Sequence, residues 1–351
     1  MRTLQDTIDR LAAFKPVSLP VVSLYLNLQP NEVGRDAYDV FVRNELPARA
    51  RTWVEDSAER ESLERDLERI NQYLANEVRP SANGLAIFAC AGADDFFEAI
   101  QLDAPIDEHR LYLHNQPHLY HLARLNDAFP PYAAVVLDSK SARILVFSLG
   151  ERVNEETIEN EKTKHHQKGG WSQKRYQRHT ANMQLQHVKE VVEALDRIVR
   201  EDKIGMIVLV GDEVILPTLR EQLPKHLADK VTDTLSLDIR TPEHEVLQAT
   251  LESIQQQDTK ADQDKVQQLM DAYRSGGLGV VGARATLDAL MLGQVDELLI
   301  GPALERQEDG DTVSDELVTG ARATGAGVTF IEDASLLDEV GGVGALLRFK
   351  I

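Results

Sequence analysis

The sequence predicts a multidomain α/β protein with three α/β units, and two observations carry this prediction. Short apolar runs rich in Val, Ile and aromatic residues alternate with longer segments whose apolar residues recur at helical spacing. Two breaks divide this alternation, at the pair Pro130–Pro131 and at the polar, helix-forming stretch 242–275. We therefore predict an N-terminal domain (1–128), a middle domain (129–240) and a C-terminal domain with a helical lead-in (241–351).

In the N-terminal domain, alternating β-branched and aromatic residues predict a strand at VVSLYLNL (21–28). GLAIFAC (84–90) has the continuous apolar character of a buried strand, and FFEAIQL (96–102) is a further predicted strand. Between the first two strands, a helix over 55–78 is predicted by apolar residues at helical spacing: Leu63, Leu67, Ile70, Leu74 and Val78.

In the middle domain, AAVVLD (133–138) and ARILVFSL (142–149) predict a β-hairpin. MIVLVG (206–211) predicts a buried strand, LPTLREQL a helix and VTDTLSLDI a further strand. A helix around 179–201 is predicted by its apolar face: Val188, Val191, Val192, Leu195 and Val199.

The C-terminal domain repeats the alternation. Helices are predicted at ARATLDALMLG and around 314–324, and strands at ELLIG, GVTFIE and the terminal ALLRFKI. The acidic stretch ERQEDGDTVSDE (305–316) is predicted to be a mobile insertion.

Composition limits the classes of function. A hydrophobic content of 42% supports a sizeable core, and the single cysteine, Cys90, allows neither an intramolecular disulfide nor a multi-cysteine zinc site. The N-terminus has no apolar signal core, and no apolar run approaches the roughly 20 residues of a membrane span. We therefore expect a cytoplasmic protein with no membrane partner. The net charge of −20 opposes general nucleic-acid binding, so we expect no DNA partner and only local RNA contacts.

One segment, 162–189, departs from this acidity and contains no Asp or Glu. Its seven cations leave the rest of the chain at −27, and they are Lys162, Lys164, Lys168, Lys174, Arg175, Arg178 and Lys189. Four histidines add titratable charge: His165, His166, His179 and His187. The segment is either a solvated basic loop or a contact for a polyanion, and the contrast with the rest of the chain favours the polyanion. Residues 158–178 are predicted to form a mobile loop in the free protein.

The centre of this segment, KGGWSQKRYQRH, has residue types that suit ester hydrolysis on a nucleic acid. Gly169 and Gly170 lack Cβ atoms, so their backbone can approach a bulky substrate closely. The surrounding cations can hold a phosphate backbone, and Trp171 can stack on a base or ribose. Gln173 carries an amide that can position a water molecule but cannot act as a general base. Such a site suits an activated ester that needs little more than a placed water.

Two other patterns are weaker candidates. Gly277, Gly279 and Gly282 match GxGxxG, but a helix-like segment precedes them, so a tight turn into a helix is favoured over a dinucleotide site. A histidine cluster lies in HRLYLHNQPHLYH, where Pro117 interrupts any single helix, so a structural or interface role is favoured over zinc binding. The cluster consists of His109, His114, His118 and His121. No metal or other cofactor is expected.

The segment resembles the Gly-Gly-Gln loop of archaeal and eukaryotic class I translation termination factors, a superfamily that includes Pelota. The closer resemblance is to the bacterial branch of this superfamily. In these factors, Gly-Gly-Gln is followed by Ser, two variable residues, Arg, an aromatic residue and Arg. The gapless matches here are Gly169, Gly170, Ser172, Arg175, Tyr176 and Arg178. Further similarity follows in order from about residue 20 to the end, including YAAVVLDSKSARILVFSLG in the middle domain and GGVGALLRFKI in a third domain. That third domain is similar in fold to ribosomal proteins that bind RNA kink-turns.

Two departures from the family pattern qualify this resemblance. Trp171 occupies the family's glutamine position, and the nearest glutamine, Gln173, lies two residues later. The family's stop-codon-reading Asn-Ile-Lys-Ser motif has no counterpart in NEVGRDAYDVFVRNELPARA. Ribosome rescue therefore fits better than ordinary termination.

The resemblance implies a peptidyl-tRNA (ester) hydrolase that acts on stalled ribosomes, with Gly169, Gly170 and Gln173 as the catalytic residues. The implied partners are the large ribosomal subunit and peptidyl-tRNA, with a translational GTPase as a further candidate. The residues expected to bind RNA are Lys162, Lys164, Lys168, Trp171, Ser172, Lys174, Arg175, Tyr176, Arg178 and His179. The alternative is a non-catalytic ribosome- or tRNA-binding factor in translation stress, and Trp171 at the glutamine position supports it.

Overall fold

The protein is described by a computed structural model over residues 4–30, 38–102, 104–148, 151–159, 173–212, 214–304 and 310–350. Within these residues the chain forms ten α-helices and thirteen strands, and the strands make three sheets. The predicted α/β multidomain class is therefore confirmed. Phe129–Asp258 forms one compact unit, while the chain up to Ala128 packs together with the chain from Thr259 onward in another. The domain boundaries at residues 128 and 240 stay predictions.

The N-terminal part of the chain contains an antiparallel four-stranded sheet of order β3-β2-β1-β4. Its elements are α1 (Leu4–Ala12), β1 (Val21–Asn27), α2 (Tyr38–Ala50), α3 (Ala58–Asn76), β2 (Gly84–Cys90), β3 (Phe96–Leu102), β4 (Arg110–His114) and α4 (Tyr120–Ala128). Every residue of β2 is buried, as its continuous apolar sequence predicts. Leu63 and Ile70 of α3 pack against Leu24 and Ile87 of the sheet, which buries the apolar stripe of that helix.

The middle part contains a mixed five-stranded sheet of order β7-β6-β5-β8-β9. Its elements are β5 (Tyr132–Leu137), β6 (Ser141–Ser148), β7 (Glu151–Glu159), α5 (Gln173–Glu201), β8 (Met206–Gly211), α6 (Leu216–Gln222), α7 (Lys225–Ala228) and β9 (Val231–Leu235). Strands β5 to β7 are antiparallel, and β8 is parallel to both β5 and β9. The predicted hairpin is formed by β5 and β6. The apolar stripe of α5 packs on one face of this sheet, with Val188 and Leu195 among its buried residues.

The C-terminal part contains a four-stranded sheet of order β10-β13-β11-β12, in which only β11 and β12 pair in parallel. Its elements are α8 (Glu243–Arg274), β10 (Gly279–Val281), α9 (Ala283–Met291), β11 (Val295–Ile300), α10 (Gly310–Thr324), β12 (Gly327–Phe330) and β13 (Val343–Leu347). Helix α8 contributes to two cores. Val246 and Ile254 pack in the middle unit, whereas Val266 and Leu269 pack with the C-terminal part.

Two predicted loops are partly wrong. The predicted mobile loop at 158–178 overlaps β7, which ends at Glu159, and α5, which begins at Gln173. Residues 173–178 are good helix formers and extend the helix predicted around 179–201 toward the glycines. The middle of that loop, 160–172, lies outside the described residues.

The predicted acidic insertion at 305–316 is wrong from residue 310 onward, because α10 begins at Gly310. Leu317, Val318 and Ala321 are buried at helical spacing. Burial of this apolar face stabilises α10, and the helix extends back through the acidic residues that precede it. Residues 305–309 lie outside the described part of the chain. Among the described helices, none is both long enough and apolar enough to cross a bilayer.

Candidate functional site

The candidate site joins β7 to α5 in the middle unit. The sequence-predicted residues Gly169, Gly170, Trp171 and Ser172 lie outside the described residues, as do the cations Lys162, Lys164 and Lys168. The remaining predicted residues lie on the first two turns of α5, where the backbone is helical, and they are Gln173, Lys174, Arg175, Tyr176, Arg178 and His179. The structure therefore assigns the second half of the motif to a helix that begins at Gln173.

The beginning of α5 has the electrostatic character of an anion-binding end. Its first turn contains no acidic residue, and the first N–H groups of a helix lie at the positive end of its dipole. In the sequence, this stretch of α5 also contains Lys174, Arg175 and Arg178. The first acid along the helix is Glu190. Phosphate groups are therefore favoured at this end of α5.

Ion pairs hold the two elements that flank the basic segment. The guanidinium of Arg197 on α5 donates to both carboxylate oxygens of Glu156 on β7, each at 2.7 Å. Next along the strand, Arg143 of β6 donates to Glu155 at 3.2 Å. The buried apolar stripe of α5 packs on the same sheet from Val188 onward.

His187 of α5, the last of the four histidines in the basic segment, is a buried residue. Its ring is fully buried, and neither ring nitrogen has a hydrogen-bond partner among the described residues. The nearby carboxylate of Asp138 accepts from the backbone N–H groups of Lys140 and Ser141, each at 2.7 Å. Although burial raises it, these hydrogen bonds hold the pKa of Asp138 below its usual value. Asp138 therefore closes the β5–β6 turn. In the sequence, the burial of His187 is indicated by its position next to Val188, which lies on the apolar stripe of the helix.

The GxGxxG match forms a turn and a close packing contact. Helix α8 precedes it, and Gly282, with a φ of 86°, leads directly into α9. A Cβ atom at Gly279 would lie 2.9 Å from the carbonyl oxygen of Leu269, so glycine lets α8 pack tightly on β10. These observations agree with the turn interpretation of the motif.

The histidine cluster is part of the N-terminal core. His118 stacks on Tyr112 with ring centroids 3.7 Å apart, and the Tyr112 hydroxyl bonds to Nε2 of His121 at 2.7 Å. Nδ1 of His109 accepts from the backbone N–H of Asn27 at 3.1 Å, while His114 is exposed. In the described ranges, no group of three or more His, Cys, Asp or Glu side chains is arranged to hold a metal ion.

Comparison with known proteins gives two consecutive family matches. Residues 117–255 match the model of bacterial archaeo-eukaryotic release factor family 10, and residues 259–351 match that of eRF1 domain 3. Together these matches cover the chain from residue 117 to its end, except for 256–258. They follow the order expected from the resemblance of the middle and C-terminal segments to termination factors.

Individual relatives belong to the same group. The chain is 25% identical over 245 residues to a Pelota homolog of Pyrococcus furiosus, covering 66% of this chain and 67% of the relative. It is 24% identical over 369 residues to peptide chain release factor subunit 1 of Pyrobaculum aerophilum, covering 99% and 92%. Dom34 of S. cerevisiae, a translation termination-like factor, is a similar solved structure at 12% identity and a TM-score of 0.47, covering 76% and 79%. The chain belongs to the superfamily of archaeal and eukaryotic release factors, which includes Pelota.

Proposed function

We propose that the protein is a ribosome-associated quality-control factor that hydrolyses peptidyl-tRNA on stalled ribosomes through the segment KGGWSQKRYQRH. The observation that carries this proposal is the pair Gly169–Gly170 within an acid-free stretch, in a release-factor superfamily chain whose net charge is otherwise strongly negative. The electropositive beginning of α5 supports it, because that end favours the phosphates of a tRNA acceptor end. The ribosome is the proposed partner, and a translational GTPase is a second one.

The proposed chemistry is the hydrolysis of one ester bond. A water oxygen forms a bond to the carbonyl carbon of the peptidyl ester, and the bond from that carbon to the tRNA ribose oxygen breaks. The ribose oxygen takes up a proton as it leaves. Gly169 and Gly170 allow the backbone to approach the ester, and Gln173 orients the water as a hydrogen-bond partner. The cations and Trp171 position the acceptor end, and the ribosome supplies most of the transition-state stabilisation.

The second candidate function is a non-catalytic ribosome- or tRNA-binding factor. It is favoured by one observation, which is that Trp171 stands where the family has its glutamine. In this alternative, the segment occupies the site by stacking and charge without placing a water.

Peptide release from stalled ribosome–nascent-chain complexes tests the proposal directly. We expect release by the unaltered chain and none by the double variant Gly169→Ala/Gly170→Ala, whose added Cβ atoms obstruct close approach of the backbone. Binding of this variant to ribosomes, measured separately, should stay close to that of the unaltered chain because its cations are intact. Absence of release by the unaltered chain, with binding retained, would establish the second candidate function instead.

A further inference from the structure

Helix α4, at the end of the N-terminal part of the chain, is capped by a residue of the C-terminal helix α10. The buried carboxylate of Asp315 accepts the backbone N–H of Leu119 at 2.5 Å, and it also accepts that of Tyr120. The first N–H groups of a helix have no acceptor within the helix itself. An acid 196 residues further along the chain therefore satisfies the beginning of α4.

Contacts between the two parts continue along α4. The ring of Tyr120 meets the ring of Phe330 edge-on, with centroids 5.4 Å apart. At the other end of the helix, the carboxylate of Asp127 accepts the backbone N–H of Phe330 at 3.0 Å. Between them, Arg124 pairs with Glu332 at 3.5 Å. Helix α4 is thus attached to the C-terminal part at both of its ends.

Charge complementarity supports the same contact from the side of α10. Arg322 lies two turns after Asp315 and is half-buried. Burial lowers the pKa of its guanidinium, while the negative charges of Asp9 on α1 and Asp127 on α4 raise it. Two acids of the N-terminal part therefore face one cation of the C-terminal part.

We propose that α4 and α10 form a latch, made by Asp315, Leu119, Tyr120, Asp127 and Phe330, that holds the N-terminal and C-terminal parts as one body. The structure further assigns to Asp315 the role of a proton-dependent element, so that the latch is firmest when this carboxyl group is neutral. The proposal does not depend on the chemistry of the basic segment, because none of these residues lies in the middle unit.

The direction of the pH dependence follows from the surroundings of Asp315. Burial raises the pKa of Asp315 to about 7, the hydrogen bonds from Leu119 and Tyr120 lower it, and the charge of Glu316 raises it. Opening the latch hydrates the carboxyl group and returns its pKa toward the ordinary value of about 4. The closed state therefore binds the proton more tightly. The latch is firmest below about pH 4, weakens up to about pH 7 and changes little above that.

Other titratable groups around Asp315 belong to the N-terminal part. Nδ1 of His118 lies 3.8 Å from Oδ1 of Asp315. The pKa of Tyr25 is raised well above its usual value, first by burial and then by the charge of Asp315. Burial holds the pKa of His121 well below its usual value, and this ring packs on Tyr25 and Tyr112 within the same part of the chain. Among these groups, Asp315 is the carboxyl group that crosses the contact.

Hydrogen exchange on the full chain between pH 5.5 and 8.0 tests the latch. The reporters are the amides of Leu119 and Phe330, with exchange rates divided by their intrinsic values at each pH. We expect the opening equilibrium to rise about tenfold for each pH unit up to about pH 7 and to level off above it. A second buried acid of the N-terminal part, Asp66 on α3, also has a pKa raised by burial to about 7, so the control is made in the Asp66→Asn background. In that background the amides of β1 and β2, which belong to the N-terminal sheet alone, should not follow this change.

Variants of Asp315 distinguish its role as a hydrogen-bond acceptor from its role as a titrating group. Asp315→Asn keeps an oxygen that can accept the N–H of Leu119 but does not titrate, so protection of Leu119 should persist and lose its pH dependence. Asp315→Ala removes the acceptor of the Leu119 N–H, so Leu119 should lose protection at every pH. The N–H of Phe330 keeps its acceptor, Asp127, and should lose protection only because the latch opens more often. Asp288→Asn, an exposed acid of α9, is the matched control and should behave as the unaltered chain does.

Three results would overturn the proposal. One is protection of Leu119 and Phe330 that does not change with pH in the unaltered chain. Another is a pH dependence that survives in Asp315→Asn. The third is a parallel loss of protection in β1 and β2 in the Asp66→Asn background, which would mean that the whole unit unfolds rather than that the latch opens. Since Asp315→Asn conserves the shape of the side chain and one acceptor oxygen, these outcomes can be read even if Asp315→Ala does not fold.

Discussion

The guanidinium of Arg197 on α5 donates hydrogen bonds to both carboxylate oxygens of Glu156 on β7, at 2.7 Å each. This contact joins the strand that ends before the basic segment to the helix that begins after it. Both hydrogen bonds come from one guanidinium nitrogen, Nη2, which is shared between the two oxygens. Half of the Arg197 side chain is exposed, so water screens the pair and it adds little to the free energy of unfolding. Its main effect is to hold β7 and α5 in a fixed relation.

We predict that Arg197→Lys lowers the free energy of unfolding by less than about 1 kcal/mol, as is typical of exposed ion pairs. The same change should increase hydrogen exchange in β7, because the lysine ammonium is more strongly hydrated than the guanidinium and holds the carboxylate less tightly. A double-mutant cycle with Glu156→Gln measures the coupling between the two side chains. A coupling near zero together with unchanged exchange in β7 would show that the pair does not order the strand.

The buried carboxyl group of Asp66 on α3 provides a second prediction. Its Oδ1 accepts the backbone N–H of Ala91 at 2.8 Å, and its Oδ2 has no hydrogen-bond partner among the described residues. Burial raises the pKa of Asp66 to about 7, and the hydrogen bond from Ala91 opposes this rise. Because the folded state holds the proton more tightly than the unfolded state, this group makes stability fall as pH rises from about 4 to about 7.

Asp66→Asn should therefore flatten the pH dependence of the unfolding free energy between pH 5 and 8. The contribution removed is on the order of 2–4 kcal/mol across the full range, as an upper bound. Urea denaturation at several pH values measures it. Asp107→Asn, an exposed acid of the same domain, is the matched control and should keep the original slope. An unchanged slope in Asp66→Asn would mean that the carboxyl group is already ionised in the folded state at pH 5.

The elements that could be predicted from the sequence are those whose pattern reflects burial on one or both faces. β2 and β8 are continuous apolar runs and α3 carries an apolar stripe, so each was predicted close to its observed bounds. The apolar stripe of α5 predicted the end of that helix, but its start lies six residues earlier than predicted. Strand β7 was missed because it lies at the edge of its sheet and its sequence, ERVNEETIE, is mostly polar. A hydrophobic pattern reports which face of a helix or strand is buried, and it gives little indication of a polar strand at the edge of a sheet.

The residue types of the candidate site could be predicted from the sequence, but their arrangement on a helix could not. The absence of acid around Gly169 and Gly170 is a property of the sequence, whereas the start of a helix at Gln173 follows from backbone hydrogen bonding that no composition reveals. The buried acids Asp66 and Asp315 were missed for a different reason. Asp315 lies in an acidic stretch that reads as solvated, and its partner Leu119 is 196 residues away. Long-range polar contacts of this kind leave no local signal.

The basic segment should make ribosome or tRNA binding sensitive to salt. Replacing Lys174, Arg175 and Arg178 with Ala removes three cations from the first two turns of α5. Affinity should fall, and the slope of log affinity against log salt should flatten by about one unit for each phosphate that is no longer neutralised. Binding titrations at several salt concentrations measure this. Matched replacement of Lys225, Lys230 and Arg240, three cations elsewhere in the middle unit, should leave the slope unchanged. Equal slopes for the first triple variant and the unaltered chain would locate the RNA-binding surface elsewhere.

The last prediction separates the two candidate functions through Gln173 and Trp171. If Gln173 orients the attacking water, Gln173→Ala should slow peptide release roughly 10²–10³-fold, the usual cost of one aimed hydrogen bond in the transition state. Ribosome binding should stay nearly constant, because one neutral amide adds little beside several charge-assisted contacts. Gln177→Ala, one turn further along α5, is the matched control and should release peptide at the normal rate.

Trp171→Ala should have the complementary effect, because base stacking contributes about 1–3 kcal/mol to affinity. In a hydrolase, this variant binds more weakly and releases peptide normally once it is saturating. In a non-catalytic factor, the unaltered chain releases no peptide above background, Gln173→Ala is silent, and only Trp171→Ala changes binding. Single-turnover release measured beside ribosome affinity, on the unaltered chain and the three variants, distinguishes these patterns. Equal release by the unaltered chain and Gln173→Ala would remove the catalytic role of Gln173, and hydrolysis would then have to rely on the backbone around Gly169 and Gly170 to place the water.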